Sequence, residues 1–255
     1  MQHRPRKRFG QHFLHDQRVI GKILAAIAPQ AGEFLVEIGP GLGAISLPLL
    51  ERCGTLTAIE LDRDVIPELQ AAAAGKGELH IIQADALKTD IAALAPPGGK
   101  LRLVGNLPYN ISTPLLFHFL EHAEHVADMH FMLQKEVVDR MAADPGGKEY
   151  GRLTVMLAAR CTVQPLFNIG SGAFRPPPKV ESSFVRLVPY AVPPFPIPDR
   201  ARFARIVSGA FSHRRKTLRN ALAGLVDETA IRAAGIDPGT RPETLSAEDY
   251  ARLST

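Results

Sequence analysis

The tetrapeptide Asn106-Leu107-Pro108-Tyr109 holds residue types that could methylate an exocyclic amine. The N6 nitrogen of adenine is a poor nucleophile because its lone pair is delocalised into the ring, so a catalyst must accept hydrogen bonds from the NH2 group. The Asn106 side-chain oxygen and a nearby backbone carbonyl could accept them. Pro108 would hold that carbonyl in one direction, and Tyr109 offers a flat face to an unstacked base. The same residue types also form ordinary strand-to-turn sequences, so the motif alone leaves both interpretations open.

A glycine-rich segment, residues 37–43, follows an apolar run and precedes a helical pattern, so its backbone could pass close under a nucleotide-like ligand. Gly39, Gly41 and Ala44 fit a relaxed dinucleotide-binding pattern. Glu60, 21 positions after Gly39, lies where an acid could bind a ribose diol. NAD and S-adenosylmethionine both contain that diol, so these residues alone do not separate the two cofactors.

Two further acids favour S-adenosylmethionine over NAD. Glu37 opens the glycine-rich segment, and Asp85, followed by Ala86, comes after a later apolar run. Carboxylates attract a cofactor that carries a sulfonium and an ammonium group, whereas they repel a pyrophosphate. Ligands of open α/β sheets bind at the carboxyl edge. We expect four residues at that edge, each at the end of one of four successive strands: Gly39, Glu60, Asp85 and Asn106.

The order of apolar runs and amphipathic segments from Gly32 onward predicts an α/β fold with a Rossmann-like sheet that has helices on both faces. The predicted parallel strands are 34–38, 55–59, 79–82, 101–104 and 129–133. Helices are predicted at 44–52, 65–74, 114–121 and 151–161. For the helix at 114–121 we expect Thr113 as N-cap and Pro114 at the first helical position. Residues 162–169 and 182–188 are predicted to add a closing pair of strands, antiparallel, at one side of the sheet.

Residues 189–198 contain five prolines in ten positions, a composition that is typical of a stiff linker. Beyond it, periodicity predicts short helices at 200–211, 215–225, 228–234 and 247–253. These patterns divide the chain into three expected parts. They are a basic N-terminal arm (1–22), an α/β domain (23–190) and a small all-helical domain (199–255).

Composition limits the class of protein. The chain has 255 residues, 45% of them hydrophobic, and no apolar run long enough to span a bilayer, so we expect a cytoplasmic protein that does not act at a membrane. Its N-terminus is basic without the apolar stretch of a secretory signal. Cys53 and Cys161 are too few for a disulfide framework, and the histidines show no metal-ligand spacing, so no metal is expected.

The positive charge is concentrated at the two ends of the chain. Residues 1–22 carry a net charge of +5, residues 23–198 carry −4, and residues 199–255 carry +3. Lys and Arg bind nucleic-acid backbones by displacing counterions, so this distribution suits a protein whose ends contact a polyanion. Solvated surface helices could carry the same charges, and that alternative stays open. The candidate RNA contacts are Arg4, Arg6, Lys7, Arg8, His213, Arg214, Arg215, Lys216 and Arg219.

The chain closely resembles the bacterial ribosomal RNA adenine dimethyltransferases, the kasugamycin-sensitivity enzymes, from Arg8 to about Leu222. The motifs that carry the resemblance are FGQHFL at 9–14, the 37–43 loop, IELD at 59–62, Asp85-Ala86, NLPYNIS at 106–112, FRPPPKVES at 174–182 and RRKTLRN at 214–220. The resemblance implies dimethylation of N6 in two adjacent adenosines of the 3′-terminal hairpin of 16S rRNA, with S-adenosylmethionine as methyl donor. It further implies that the partner is the immature small ribosomal subunit. By the same resemblance, the N-terminal arm (1–22) also serves as a cofactor lid, residues 23–190 form the methyltransferase domain and residues 199–255 form the RNA-binding domain. We expect a monomer.

The resemblance also implies roles for individual residues. Residues 11–14 would close over the methionine part of the cofactor, with Gln11, His12 and Leu14 as contacts, although many members of the family have Asn at position 12. Glu60 would bind the ribose hydroxyls and Asp85 the adenine amine, while Glu37, Gly39, Gly41, Ala86 and Asn106 complete the cofactor site. We hypothesise that the Asn106 oxygen and the Leu107 carbonyl polarise N6 while Tyr109 stacks on the target base. Phe174 is expected to form the second wall.

Three other functions fit parts of the pattern. A 23S rRNA adenine methyltransferase of the macrolide-resistance type would share the fold and a similar tetrapeptide. A DNA adenine methyltransferase would use a related element, but the chain has no separate target-recognition segment. A non-enzymatic assembly checkpoint factor, with methylation secondary, is compatible with the main hypothesis.

Overall fold

The computed structural model describes residues 12–213 and 215–255. Arg4, Arg6, Lys7, Arg8, Gln11 and Arg214 lie outside the described residues, so their predicted roles stay predictions. The chain divides into two compact units. The first unit comprises residues 1–138 and 164–189, and the second comprises residues 139–163 and 190–255.

The described residues form nine strands and ten α-helices. The strands are β1 (Phe13–Leu14), β2 (Phe34–Ile38), β3 (Thr55–Glu60), β4 (Glu78–Gln83), β5 (Leu101–Asn106), β6 (Val126–Gln134), β7 (Cys161–Ile169), β8 (Phe174–Arg175) and β9 (Ser182–Pro189). The helices are α1 (Gln17–Ile27), α2 (Ser46–Cys53), α3 (Ile66–Ala73), α4 (Ser112–Glu121), α5 (Lys135–Met141), α6 (Arg152–Ala158), α7 (Arg200–Ser212), α8 (Leu218–Ala221), α9 (Glu228–Ala233) and α10 (Ala247–Leu253).

A seven-stranded sheet organises the first unit, in the order β4-β3-β2-β5-β6-β9-β7. β2 pairs in parallel with β3 and β5, and β4 and β6 extend the parallel part on either side. β9 runs antiparallel to β6, with Met129 opposite Leu187. The five predicted parallel strands are therefore confirmed as β2 to β6, and the sheet is Rossmann-like. β1 pairs separately with β8.

Helix α1 forms because its apolar residues recur with helical spacing and its first turn is capped. Its buried residues are Ile20, Ile23, Leu24 and Ile27, which recur at the spacing of one helical face. The Asp16 side chain caps the helix by accepting hydrogen bonds from the backbone N–H groups of residues 18 and 19 at 2.8 and 3.2 Å. The apolar face packs in a core cluster with residues of α2 and of strands β2 and β3. α1 thus holds β1, which directly precedes it, against the sheet.

Several predicted helix boundaries differ from the structure: the helix predicted at 151–161 ends at Ala158, and those of α4 and α8 have identifiable causes. α4 begins at Ser112, not after an N-cap at Thr113, because the turn forms earlier: Ile111 N–H donates to the Pro108 carbonyl at 3.1 Å. The helix predicted at 215–225 is reduced to α8. The backbone N–H groups of Leu218 and Arg219 donate instead to carbonyls of the 238–240 loop at 2.7 and 3.1 Å. Loop contacts therefore replace helical hydrogen bonds there.

The second unit has a helical core of its own. Tyr150, Phe203 and Tyr250 are buried in one cluster, and the Tyr250 hydroxyl donates to the Pro242 carbonyl at 2.8 Å. The cluster includes residues of α6, which explains why residues 139–163 belong to this unit. The compact units differ in this segment from the predicted division at 23–190 and 199–255. Among residues 12–213 and 215–255, no helix is both long and apolar enough to cross a membrane.

Candidate active site

A cleft opens at the carboxyl ends of β2, β3, β4 and β5, with a volume of about 2250 Å³. Parallel pairing places the ends of these strands at one edge of the sheet. The structure therefore brings together the four residues expected at that edge, and all of them line the cleft: Gly39, Glu60, Asp85 and Asn106.

The loop after β2 lies close beneath the cleft because glycines allow its backbone conformation. Gly39, Gly41 and Gly43 have φ values of 67°, 55° and 87°, which side chains rarely adopt. A Cβ atom on Gly41 would lie 3.1 Å from Cε1 of Phe13. Phe13 is therefore the side chain of the N-terminal segment that approaches the glycine loop.

Glu60 is held by backbone donors. Its Oε2 accepts from Gly41 N–H at 3.1 Å, and its Oε1 accepts from Asp62 N–H at 2.7 Å. Burial raises the pKa of Glu60, and these backbone hydrogen bonds partly offset that rise. Each carboxylate oxygen can accept a second hydrogen bond, so Glu60 can bind the hydroxyls of a ribose while its orientation stays fixed.

Glu37 is a buried carboxyl group beside Glu60. Its exposed fraction is 2%, and its Oε2 atom has no hydrogen-bond partner among the described residues. The pKa of Glu37 is raised to about 7, chiefly by burial, while the Ser46 side chain lowers it and the nearby Glu60 adds to the rise. A cation placed in the cleft would satisfy this carboxylate, whereas an anionic ligand would add repulsion.

Asp85 lies in the turn after β4, and one of its carboxylate oxygens accepts a hydrogen bond from the protein backbone. Its Oδ1 accepts from Leu87 N–H at 3.0 Å, and its backbone carbonyl accepts from the Thr89 hydroxyl at 3.0 Å. The turn is thereby fixed. Asp85 and Ala86 both line the cleft.

Asn106 ends β5 with its amide in a defined orientation. Its Nδ2 donates to the backbone carbonyl of His12 at 3.1 Å. Within the described chain, no protein donor contacts the Asn106 Oδ1 atom or the Leu107 carbonyl, whereas the Pro108 carbonyl accepts from Ile111 N–H at 3.1 Å. Two oxygens at the cleft are therefore available to accept hydrogen bonds from an amine.

Tyr109 is anchored at its hydroxyl end. Its hydroxyl forms a hydrogen bond of 2.6 Å with Oγ of Ser182, a residue that is fully buried at the start of β9. Burial raises the pKa of Tyr109, so the phenol stays neutral. The bond fixes the direction of the ring beside the Asn106 amide.

His12 and Leu14, predicted as cofactor contacts, both line the cleft, and each also has contacts elsewhere in the protein. Leu14 packs in the core cluster, with an exposed fraction of 6%, and pairs with Phe174 across β1 and β8. The His12 ring stacks on Tyr109, with centroids 5.9 Å apart and an interplanar angle of 25°. His12 Nδ1 also lies 2.8 Å from the Pro176 carbonyl.

Phe174, predicted as the second wall of a base pocket, is buried in this structure, and its role at a target base stays a prediction. Its side chain is 1% exposed and packs in the core cluster of the first unit, and it does not line the cleft. The physical reason is that β8 pairs with β1 and turns this apolar ring inward. The residues after it, 175–180, line the cleft instead.

Sequence reasoning missed several residues of the cleft. Phe13 could have been found, because alternation along β1 turns neighbouring side chains to opposite faces. Ser182 lies 73 positions from Tyr109, and no local pattern connects them. Arg175 and Lys179 are exposed cations of the cleft lining that the charge analysis did not select.

The predicted RNA contacts of the second unit differ in their surroundings. Arg215 and Lys216 are exposed, as is His213, whose Nδ1 lies 2.8 Å from the Ser212 hydroxyl. Arg219 is ion-paired with Glu228 at 3.2 Å, and Glu228 also binds Arg232. Arg215 and Lys216 are therefore freer to contact phosphates than Arg219 is.

The donor set fits S-adenosylmethionine better than a dinucleotide. Glu37 supplies a buried carboxyl whose Oε2 has no hydrogen-bond partner among the described residues. Glu60 can accept from ribose hydroxyls, and the glycine loop leaves room for close approach of a ligand. These acids complement a cofactor that carries positive charge and no phosphate.

Comparison with known proteins gives concordant findings. The family model described as ribosomal RNA adenine dimethylase matches residues 2–255. A relative from Pseudomonas putida, ribosomal RNA small subunit methyltransferase A, is 55% identical over 253 residues, which cover 99% of this chain and 95% of that protein.

Two solved structures share the fold over nearly the whole chain. A dimethyladenosine transferase from Plasmodium falciparum is 25% identical with a TM-score of 0.78, covering 95% of this chain and 96% of that one. The 23S rRNA methyltransferase ErmE is 24% identical with a TM-score of 0.74, covering 95% of this chain and 98% of that one. The second likeness bears on the fold alone.

Proposed function

The chain belongs to the ribosomal RNA adenine dimethylase family, and from this premise we propose that it dimethylates N6 of two adjacent adenosines in the 3′-terminal hairpin of 16S rRNA. The methyl donor is S-adenosylmethionine, and the reaction belongs to late biogenesis of the small subunit. The observation that carries the proposal is the position of Asn106. It ends β5 at the cofactor edge of the sheet and directly precedes Leu107, Pro108 and the anchored Tyr109.

The cofactor would be held by residues at the ends of the parallel strands, and when bound it supplies an electrophilic methyl group. Glu60 binds the ribose hydroxyls, Asp85 accepts from the adenine amine, and Glu37 balances the positive charge. The loop of Gly39 and Gly41 passes beneath the ligand. Each role follows from a carboxylate or a backbone group that lines the cleft.

The acceptor amine is activated by positioning. The His12 carbonyl binds Asn106 Nδ2, so Oδ1 is the amide atom that faces an incoming NH2 group. Oδ1 and the Leu107 carbonyl each accept an N6 hydrogen, which turns the nitrogen lone pair away from the ring and towards the donor. Tyr109 supports the base by stacking.

No strong general base is required. The N6 proton becomes acidic once the nitrogen is alkylated, so it can leave to solvent, and orientation is the larger contribution to rate. Tyr109 has a raised pKa and its hydroxyl is bonded to Ser182, so the phenol serves as a support and not as a base.

Substrate recognition completes the proposal. The target is the immature small subunit in the cytoplasm, bound by a monomer, and exposed cations such as Arg215 and Lys216 of the helical second unit contact its phosphates. Adenines in a hairpin loop are unstacked at low energetic cost, which suits entry of the base into a cleft. The relative from Pseudomonas putida, named for the small subunit, supports this target over 23S rRNA.

The proposal is tested by mapping methyl incorporation. Purified protein is incubated with methyl-labelled S-adenosylmethionine and small subunits that lack the modification, and the labelled adenosines are located by sequencing. We expect two methyl groups on each of two adjacent adenosines of the 3′ hairpin. No incorporation, or label outside that hairpin, would overturn the assignment.

Asn106→Ala is expected to reduce methyl transfer by about 100- to 1000-fold, because the variant loses the side-chain oxygen that accepts from N6. The residue ends a strand and is only partly buried, so the fold should persist. Single-turnover rates and thermal unfolding measure the two effects. An unchanged yield of dimethyladenosine would contradict the role of Asn106.

A further inference from the structure

The turn that follows β4 is closed on Asp85 by its own residues. The backbone carbonyl of Asp85 accepts from Lys88 N–H at 2.9 Å and from the Thr89 hydroxyl at 3.0 Å. Its Oδ1 accepts from Leu87 N–H at 3.0 Å. Because these hydrogen bonds converge on one residue, the position of the Asp85 carboxylate follows the position of the whole turn.

A side chain of α4 also holds this turn. His118 Nε2 lies 2.9 Å from the Thr89 carbonyl oxygen, and the two residues are 29 positions apart. A carbonyl can only accept, so the imidazole donates through Nε2. His118 is half-buried, and neither it nor Thr89 is among the described residues that line the cleft. The bond therefore acts on the site from behind the cleft wall.

Helix α4 is joined to the acceptor side of the site at its first turn. It begins three residues after the tetrapeptide 106–109, and Ser112 Oγ donates to the Tyr109 carbonyl at 3.2 Å. Four apolar side chains bury the helix against the protein: Leu115, Leu116, Phe119 and Leu120. His118 and the tetrapeptide therefore belong to one packed segment.

Backbone pairing in the sheet stops short of Asp85. β4 is the edge strand of the parallel part, and β3 and β2 separate it from β5. Beyond the last pair of β4 and β3, Ala84 N–H still donates to the Glu60 carbonyl at 3.1 Å, and Asp85 follows in the turn. The bond from His118 thus connects the turn to α4 without passing through the intervening strands.

We propose that His118 is a positioning residue: by binding the Thr89 carbonyl, it fixes the turn of Asp85 relative to the helix that follows the acceptor tetrapeptide. This inference rests on the proposed function, in which Asp85 accepts from the adenine amine of the cofactor and Asn106 accepts from the target amine. The bond keeps these two sides at a constant separation. A misplacement of about 1 Å can cost roughly 100-fold in rate, so such a bond contributes to kcat.

Three variants test the proposal, His118→Ala, His118→Gln and Thr89→Val, with His122→Ala as the control. The His122 ring meets the His118 ring edge-on, with centroids 5.5 Å apart, and no described hydrogen bond joins it to the turn. The measurements are the Kd for S-adenosylmethionine by calorimetry, the single-turnover rate at saturating cofactor, and KM for unmodified small subunits.

H118A is expected to raise the Kd for S-adenosylmethionine by about 2- to 10-fold, the range for loss of one hydrogen bond. At saturating cofactor its single-turnover rate should still fall by roughly 10-fold or more, because the donor side is displaced relative to the amine. KM for subunits should stay within about twofold, since the contacts to RNA are unchanged. H122A should match the wild type in all three measurements.

The other two variants separate the hydrogen bond from packing. Gln carries an amide N–H donor, so H118Q should recover most of the rate lost in H118A. T89V removes the hydroxyl bond to the Asp85 carbonyl and leaves α4 unchanged, so it should shift Kd and rate in the same direction. In the double variant T89V/H118A the losses should be less than multiplicative, because both changes loosen one turn.

Thermal unfolding is measured for every variant, and T89V carries the test if H118A is destabilised. Two results would overturn the proposal while leaving the proposed function intact. In the first, H118A or its T89V substitute transfers methyl groups at the wild-type rate under saturating cofactor. In the second, the rate falls in folded H118A but H118Q does not restore it, which would assign the loss to packing. Failure of the wild-type protein to label the 3′ hairpin would instead reject the proposed function itself.

Discussion

At the scale of single residues, the amide nitrogen and the amide oxygen of Asn106 have different roles. The amide nitrogen donates a hydrogen bond to the His12 carbonyl, which leaves the amide oxygen to accept a hydrogen bond from the substrate. An amide whose nitrogen had no partner could rotate and present a donor to the N6 amine, which would repel it. Under the proposed function, the N-terminal segment therefore contributes to catalysis through the His12 backbone carbonyl, whatever side chain stands at position 12.

Glu37 is a buried carboxyl group whose protonation depends on whether a cation is bound beside it. Its pKa is raised to about 7 by burial, so near neutral pH the free protein contains both protonation states. Binding a cation favours the carboxylate and lowers its pKa. Cofactor binding therefore releases a proton whenever the carboxyl was protonated beforehand.

The affinity for S-adenosylmethionine is expected to fall below pH 7, by up to about tenfold per pH unit, because Glu37 must ionise on binding. Glu37→Gln should bind more weakly at pH 8 and lose this pH dependence, as measured by calorimetry from pH 5.5 to 8.5. Glu78→Gln, an exposed acid on β4, is the matched control and should keep the wild-type profile. Identical pH profiles for E37Q and wild type would contradict this role.

The stability of E37Q separates binding from folding. A carboxyl whose folded pKa lies above its unfolded value costs stability once the pH exceeds both values, because the unfolded state ionises more readily. E37Q should therefore not unfold at a lower temperature than wild type at pH 8. A large drop in unfolding temperature would show that its weak binding comes from misfolding.

At the scale of elements, the close pairing of β2 and β5 fixes the position of Asn106. Gly105 pairs with Ile38, and a Cβ atom at position 105 would lie 2.4 Å from the Ile38 carbonyl oxygen. Real Cβ atoms do not approach backbone so closely, so any side chain here must push the strands apart. The glycine before Asn106 is thus required by the register of the sheet.

Gly105→Ala is expected to destabilise the protein by roughly 2–4 kcal/mol and to reduce methyl transfer, because the end of β5 must shift. Chemical denaturation and single-turnover rates measure both effects. Gly21→Ala is the control: Gly21 lies in α1 with open space around its Cβ position, so this change should stabilise by up to about 1 kcal/mol. Equal stabilities for the two variants would contradict the argument.

Strands β5, β6 and β9 share a cluster of charged residues around the buried Asp128. Arg102 Nε donates to Asp128 Oδ1 at 2.9 Å, and Arg186 Nη2 donates to Asp128 Oδ2 at 3.2 Å. His130 is 1% exposed beside them, and its ring nitrogens have no hydrogen-bond partner among the described residues. Burial lowers the pKa of His130 to about 4, so the imidazole is neutral in the folded protein at neutral pH.

Acidification from pH 6.5 to pH 4 is expected to cost about 3 kcal/mol of stability through His130. The unfolded state binds a proton on this histidine near pH 6.5, whereas the folded state resists until about pH 4, so stability falls as pH falls through this window. His130→Phe keeps the stacking on Phe184 and should flatten this part of the profile. Denaturation curves from pH 4 to 8 test it, and an unchanged slope in H130F would reject it.

At the scale of the whole molecule, the excess of basic residues and most residues of the candidate active site lie in different parts of the chain. The centre is acidic, with a net charge of −4, and it holds a cleft lined by carboxylates that suits a cationic cofactor. The N- and C-terminal parts are basic, with +5 and +3. The acidic central part favours a cationic cofactor, whereas the basic terminal parts favour the phosphates of an RNA. Each ligand therefore has a region of complementary charge.

Binding to small subunits is expected to weaken steeply with added salt, because phosphate contacts release counterions. The double variant Arg215→Ala/Lys216→Ala should reduce the slope of log K against log salt by roughly 1.5–2, since each exposed cation contributes about one unit or slightly less. Lys100→Ala, which removes an exposed cation just before β5, is the control and should leave the slope unchanged. Insensitivity of wild-type binding to salt would count against the electrostatic contact.

Particular residues show how far local patterns could predict this molecule. Strands β2 to β6 were predictable because each is a short apolar run, and Gly39, Glu60, Asp85 and Asn106 followed because parallel strands end at one edge. The same reasoning misjudged α8, whose first N–H groups bind carbonyls of residues 238 and 240. A partner about 20 positions away leaves no trace in helical periodicity.

The sequence by itself determined the parallel sheet, the glycine loop, the acids at the strand ends and the Asn106 tetrapeptide, because those features depend on short-range order and strand polarity. Only the tertiary structure decided how the aromatic rings at and beneath the cleft are packed. The bond from Tyr109 to Ser182 joins residues 73 positions apart, and the contact of His12 with Pro176 joins residues 164 positions apart. The burial of Phe174 depends on the pairing of β1 with β8. Such contacts are set by packing of the folded chain, and no local residue pattern encodes them.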